Sequence, residues 1–130
     1  MNLIKTAIAI PVLLAISMSY AGGQAGKFDF YVLTMSWSPN YCAAKQDNDP
    51  QQCTVGKKLG FVLHGLWPQY TQGYPSNCSN DKLAKDAKAK FPGLYPSDAL
   101  YAHEWEKHGT CSGLGPQDYL ALSKKLKESV

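Results

Sequence analysis

Four cysteines, Cys42, Cys53, Cys78 and Cys111, lie downstream of an apolar N-terminal run, and this combination constrains the fold more than any other feature of the chain. Met1 to Lys5 carries one positive charge, Thr6 to Ile16 is almost entirely apolar, and Ser17 to Ala21 turns small and polar. That order is the layout of a secretory signal peptide. The apolar core is about eleven residues, short of the roughly twenty that span a bilayer, and Pro11 interrupts it. A buried helix would normally keep polar residues on one face, which this segment does not. We therefore expect residues 1–21 to be a signal peptide cut after Ala21, with Ala25 as the alternative. Residues 22–130 are then one exported domain, secreted or periplasmic, with no membrane attachment after cleavage.

Export allows disulfides to persist. Four cysteines permit three pairings. Neighbourhood in sequence favours Cys42–Cys53 as a local clip and Cys78–Cys111 as a longer tie. A zinc site would need a C-x-x-C or a closely spaced Cys/His ladder, and the chain has neither. No metal and no cofactor is expected. With 45% hydrophobic and 18% charged residues, the chain is neither disordered nor a coiled coil.

Lys27 to Trp37 (KFDFYVLTMSW) is aromatic and β-branched and reads as a well-buried strand. Pro39 to Gly56 is polar and reads as loop. Leu59 to His64 is a second short strand that Gly65 breaks, and Pro68 to Ser79 is rich in turn residues. Asp81 to Lys90 predicts a helix with a solvated lysine face. Ser97 predicts the N-cap of the next helix, and Gly109 its stop. From Pro116 to Val130 the apolar residues Tyr119, Leu122, Leu126 and Val130 fall at helical spacing.

All positive side-chain charge outside histidine comes from 13 lysines, since the chain has no arginine; against 10 carboxylates the balance is +3. Any phosphate held here must therefore rely on Lys, His, polar groups or backbone N–H. The chemistry-bearing residues gather in two places. His64-Gly65-Leu66-Trp67-Pro68 leaves the second strand, and His103-Glu104-Trp105-Glu106-Lys107-His108-Gly109 lies at the end of a predicted helix. On a helix, Glu104 falls under His108 and His103 under Lys107. His103 and His108 stand five apart, about 140° around the helix, which rules out the zinc-protease arrangement of two histidines on one face.

Two imidazoles from separate segments, with a carboxylate and an ammonium beside them, suit cleavage of RNA by its own 2′-hydroxyl. One imidazole takes the 2′-OH proton and the other protonates the departing 5′-oxygen. A nearby cation stabilises the charge that builds on phosphorus, and a carboxylate beside an imidazole is expected to orient it and raise its pKa.

The segments HGLWP at 64–68 and HEWEKHG at 103–109 resemble the two active-site segments of the ribonuclease T2 family, and FYVLTMSWSPNYC at 30–42 resembles its first core strand and the cysteine after it. The resemblance covers roughly residues 28 to 120. It implies an α+β fold, an antiparallel sheet with packed helices, incomplete at the C-terminal end. It implies His108 as general base and His64 as general acid, with Glu104 and Lys107 stabilising the pentacoordinate phosphate. His103 would bind phosphate and Trp67 would stack on a base, with Tyr70 or Tyr74 as the other stacking face. The implied activity is metal-independent cleavage of single-stranded RNA, through a 2′,3′-cyclic phosphate to 3′-phosphate ends, by a monomer. The family's tie between the two active segments falls on Cys78–Cys111. One departure bears on base preference: many members carry an acidic residue directly after WP, where this chain has Gln69.

The family's later strands complete its sheet. Only two strands are visible here, too few for an independently stable sheet, so we expect truncation rather than a minimal disulfide-held version, and with it low stability and weak activity. Two rivals to the enzyme reading are an exported RNA-binding module without turnover and a metal-dependent hydrolase that EDTA would silence.

Overall fold

The computed structural model describes residues 22–45 and 49–130; the signal-peptide reading of residues 1–21 lies outside the described residues. Strand β1 (Phe30–Trp37) pairs antiparallel with β2 (Phe61–Gln69). Between the strands lie helices α1 (Ser38–Lys45) and α2 (Pro50–Cys53), and after them α3 (Lys85–Ala89), α4 (Asp98–Lys107), a 3-10 turn (Gly109–Cys111) and α5 (Pro116–Lys127). The architecture is α+β.

The sheet carries one irregularity that organises the rest. Thr34 pairs with Gly65 but the next residue, Met35, pairs with Leu63, so His64 is an extra residue with no partner on β1. This is a β-bulge, which re-aims side chains locally. On β1 the core face follows strict alternation through Tyr31, Leu33 and Met35; on β2 their partners are Pro68, Leu66 and Leu63. Leu63 and Leu66 are three apart, yet the bulge brings them to one face, where both are fully buried. Burying each stabilises by roughly 1.5–3 kcal/mol. The opposite face carries Val32 and Ser36 from β1, and Val62, Trp67 and Gln69 from β2.

Several sequence expectations need correction here. The second strand does not end at Gly65, because the bulge absorbs the glycine and pairing continues to Gln69. The segment expected as loop holds α1 and α2. Ser38-Pro39 and Asp49-Pro50 are both helix-start signals, with proline early in the first turn, and Asp49 caps the second by accepting from the Gln52 N–H. The first strand is not well buried: Phe30 is 48% and Trp37 47% exposed. Ser97 does stand at the N-cap of α4, but its side chain makes no cap bond. Gln51 Oε1 accepts from the Asp98 N–H at 2.7 Å instead. In α5 the buried residues are Tyr119, Leu120 and Ser123, while Val130 lies beyond the helix and is exposed.

Tyr119 locks α5 to the sheet, since its hydroxyl donates to the Leu66 carbonyl at 2.7 Å. Its ring meets Trp105 edge-on at 5.9 Å. Gly109 lets the 3-10 turn lie directly on the Trp105 ring, where a β-carbon would overlap it.

The disulfides join Cys42 to Cys53 and Cys78 to Cys111. The first clips α1 to α2. The second ties the segment after β2 to the turn after α4, beside hydrogen bonds from Asn77 N–H to the Lys107 carbonyl at 2.9 Å and from Cys78 N–H to Thr110 Oγ1 at 3.1 Å. The loops closed span 33 and 11 residues. Loop-closure entropy assigns about 3–4 kcal/mol to the longer tie and about 1 kcal/mol less to the shorter. Replacing Cys78 and Cys111 together by serine should therefore lower the urea midpoint more than replacing Cys42 and Cys53. Non-reducing peptide maps should return these two pairs; a dominant Cys53–Cys78 peptide would overturn the pairing.

Candidate active site

The bulge at His64 places two successive residues, His64 and Gly65, opposite the single Thr34. His64 is thereby freed from the ladder and stands at the rim of a cleft, its Nδ1 2.9 Å from Ser36 Oγ. Gly65 has no side chain, and the carboxylate of Glu104 occupies that space. A β-carbon at this position would overlap both the Glu104 carboxylate and Trp67 Nε1.

Helix α4 supplies the facing groups. Tyr101, Glu104 and Trp105 form its buried stripe, and His108, its C-cap, is buried one turn beyond Glu104. His103 is exposed and Lys107 half-buried on the neighbouring side. The Trp67 indole N–H donates to Glu104 Oε2 at 2.7 Å. Glu104 Oε1 lies 3.8 Å from His64 Nε2. It has no hydrogen-bond partner among the described residues, and neither has His108 Nδ1. One face of Trp67 stacks on the His108 ring, with centroids 5.0 Å apart and planes 23° apart.

His64, Trp67, His103, Glu104, Lys107 and His108 thus line one cleft of about 430 Å³, with Val32, Gln69 and Tyr74 completing its wall. All six residues singled out in the sequence come together. Of the two tyrosines left open, Tyr74 lines the cleft, its ring 6.2 Å from His108. The turn before it is held by Asp29, whose Oδ2 accepts from the Thr71 N–H at 2.7 Å and hydroxyl at 3.0 Å. Sequence reasoning missed Ser36 and Val32. Their alternation with the core residues Leu33 and Met35 was the signal that could have placed them on the cleft face.

Electrostatics run against one expectation. The carboxylate does not raise its imidazole neighbours, because burial pushes Glu104 itself up to about 7, only partly opposed by the Trp67 hydrogen bond and Lys107. His108 is pushed down to about 4, first by burial and then by Lys107, His103 and His64. His64 is lowered for the same reasons, burial leading and His103 and Lys107 following. A site with two histidines of unequal proton affinity and one buried cation-facing carboxyl can hold a base and an acid at one pH.

Two outcomes follow from this seating. Gly65→Ala should displace Glu104 and Trp67 together. We expect a loss of stability of about 1–3 kcal/mol, with changed Trp67 fluorescence; unaltered fluorescence and Tm would contradict the close approach. Glu104 contributes a raised folded pKa, so the folded state holds its proton more tightly and loses stability as pH rises from the unfolded carboxyl value of 4.5 through about 7. Glu104→Gln removes that loss. It should raise stability at pH 8 by on the order of 2 kcal/mol and by much less at pH 4.5, as read by thermal melts at each pH.

Comparison with known proteins identifies the family. The family model of the Ribonuclease T2 family matches residues 28–130. A ribonuclease of Aeromonas hydrophila is 54% identical over 108 residues, covering 83% of this chain and 49% of its own length. Ribonuclease 3 of Arabidopsis thaliana is 36% identical, covering 89% of this chain and 59% of its own length. The chain thus spans about half the length of the curated relatives it matches. Among solved structures, RNase NT in complex with 5′-AMP aligns with a TM-score of 0.64 and 29% identity, covering 78% of this chain and 57% of the other. Ribonuclease MC1 from bitter gourd seeds aligns with a TM-score of 0.64 and 26% identity, covering 78% and 58%. On the strength of the family match over most of its length, the chain belongs to the ribonuclease T2 family.

Proposed function

We propose that the chain cleaves single-stranded RNA by metal-independent transphosphorylation, forming a 2′,3′-cyclic phosphate that is opened more slowly to a 3′-phosphate. The observation that carries this reading is the convergence of two imidazoles of unequal proton affinity with Glu104, Lys107 and His103 in one cleft. His108, down near 4, is neutral at mildly acidic pH and takes the 2′-OH proton. His64 retains its proton to higher pH and delivers it from Nε2 to the departing 5′-oxygen. Lys107 and His103 face the phosphate and stabilise the charge that grows on its oxygens. Glu104, held by Trp67, lies within reach of the same phosphate, and as a neutral acid it donates a hydrogen bond to a phosphoryl oxygen.

Tyr74 and Trp67 flank the cleft as aromatic surfaces for an unstacked base, the usual means of holding single-stranded RNA. A fold relative crystallised with 5′-AMP supports a nucleotide as occupant. All six groups come from one chain, so a monomer suffices. A secreted or periplasmic location fits the leader sequence and the two disulfides.

Incubating the oxidised chain with RNA in EDTA should release fragments with 2′,3′-cyclic phosphate ends; binding without cleavage would favour the RNA-binding module, and loss of cleavage in EDTA the metal-dependent hydrolase. The profile of kcat/KM should be a bell on the acidic side of neutral. Its rising limb lies near 4, where His108 loses its proton, and its falling limb below the ordinary imidazole value of 6.5, where His64 does. A rate climbing steadily to pH 9 would exclude the two-histidine mechanism. His64→Ala and His108→Ala should each cost about 10²-fold or more in kcat, and a His64→Ala rate within a few-fold of the parent would remove that residue from the mechanism.

A further inference from the structure

His64 is a bulge residue, outside the ladder on its strand, and an imidazole so placed has two nitrogens it could present to a substrate. Something must select one. Among the described residues its one hydrogen bond is to Ser36, 2.9 Å from Nδ1, since Glu104 Oε1 stands 3.8 Å from Nε2, too far to bond. Ser36 lies on the cleft face of β1, paired with Val62, two residues before His64. We infer that Ser36 is the positioning residue for His64: its hydroxyl holds Nδ1 and so makes Nε2 the nitrogen that meets the leaving oxygen. This inference rests on the reading of His64 as the general acid.

A serine hydroxyl both donates and accepts, and the proposed step uses its acceptor side. The imidazolium donates Nδ1–H to Ser36 Oγ and carries its second proton on Nε2. When the phosphorus–oxygen bond to the 5′-oxygen breaks, the Nε2 proton moves to that oxygen and its bonding pair stays on Nε2. The neutral ring keeps Nδ1–H on Ser36, so it needs no rotation or tautomer exchange. Without Ser36 the imidazolium ring can turn over, which takes Nε2–H away from the leaving group, and the neutral ring left after transfer is no longer held as the Nδ1–H tautomer. The charged and titratable groups facing this ring are His103, Glu104, Lys107 and His108 from the α4 segment. Tyr41 and Asp49 line a smaller neighbouring cleft that Ser36, His64 and His103 share. None of these reaches Nδ1 among the bonds of the described residues.

The test compares the parent with Ser36→Ala and Ser36→Thr by two independent readouts. Ring 15N shifts of His64, followed against pH, report tautomer and midpoint whether or not the chain turns over. Ser36→Ala should move the His64 shifts and midpoint and leave those of His103 in place, and Ser36→Thr should restore them. In kinetics, cleavage of a dinucleoside phosphate, whose 5′-oxygen needs protonation, should slow by about tenfold in kcat for Ser36→Ala. Cleavage of a nitrophenyl ester of uridine 3′-phosphate, whose leaving group departs without an acid, should slow by less than about twofold. Unmoved His64 shifts, or equal slowing of both substrates, overturn the inference. Shifted His64 signals in a parent chain inactive on both substrates keep the Ser36 contact and overturn the ribonuclease reading instead.

Discussion

The seat of the Glu104 carboxylate against the backbone of Gly65 is the contact on which the rest of the site depends. It requires a residue without a side chain on the cleft face of β2, and the bulge is what brings position 65 to that face. The same bulge keeps Leu63 and Leu66 together in the core although they are three residues apart. A regular strand could bury one of them or the other. The irregularity therefore reconciles two demands, a continuous apolar face below and a histidine-glycine pair above.

From this seat the other groups follow by contact. The Trp67 N–H reaches Glu104 and fixes the indole plane, and the indole in turn covers one face of His108. Trp67 thus spends one face on His108 and its only donor on Glu104. Its role in the free chain is to hold a carboxyl and an imidazole in register, alongside any stacking on a base. The arrangement opposes stability, because Glu104 and His108 are both ionisable groups in a poorly solvated place. Opposing terms come from the Leu63–Leu66 face, the Tyr119 anchor on Leu66, and the Cys78–Cys111 tie between the segment after β2 and the turn after α4.

Much of the site was legible in the sequence because its chemistry is carried by rare residue types in short runs. His64, Trp67, His103, Glu104, Lys107 and His108 can be named without a fold, and the helix spacing places Glu104 beneath His108. What the runs could not reveal was the environment. A glycine at 65 reads as a strand break, since a bulge is written in pairing with another strand and not in the residues themselves. Ser36 carries no motif and becomes visible only through the register that sets it near His64. The expected rise in imidazole basicity failed for a related reason. Charge type was readable, but the full burial of Glu104, which leaves its carboxyl partly protonated near neutral pH, was not. Helices α1 and α2 were readable and overlooked: Ser38-Pro39 and Asp49-Pro50 carry start signals that a polar composition obscured.

The cleft gathers Lys107 and three imidazoles around one buried carboxyl. Burial first, and then Lys107 and His103, depress both other imidazoles, and Glu104 answers the cations only when ionised. A phosphodiester placed among these groups supplies an anion, and an anion within a few ångströms raises the proton affinity of each imidazole it faces. For His64 that effect offsets the lowering by burial, His103 and Lys107. For His108 it raises the proton affinity from a low starting point, about 4, so that mildly acidic pH still leaves the ring largely neutral. The same anion favours the protonated form of Glu104, converting a repelling carboxylate into a donor toward the phosphoryl oxygens. Crowding of cations around the histidines is unfavourable alone and an anion offsets it, while the burial that raises Glu104 remains and the anion pushes that carboxyl further toward its neutral form. An anionic ligand therefore shifts the proton balance of all three groups, His64, Glu104 and His108, in a way that a neutral ligand of the same shape would not.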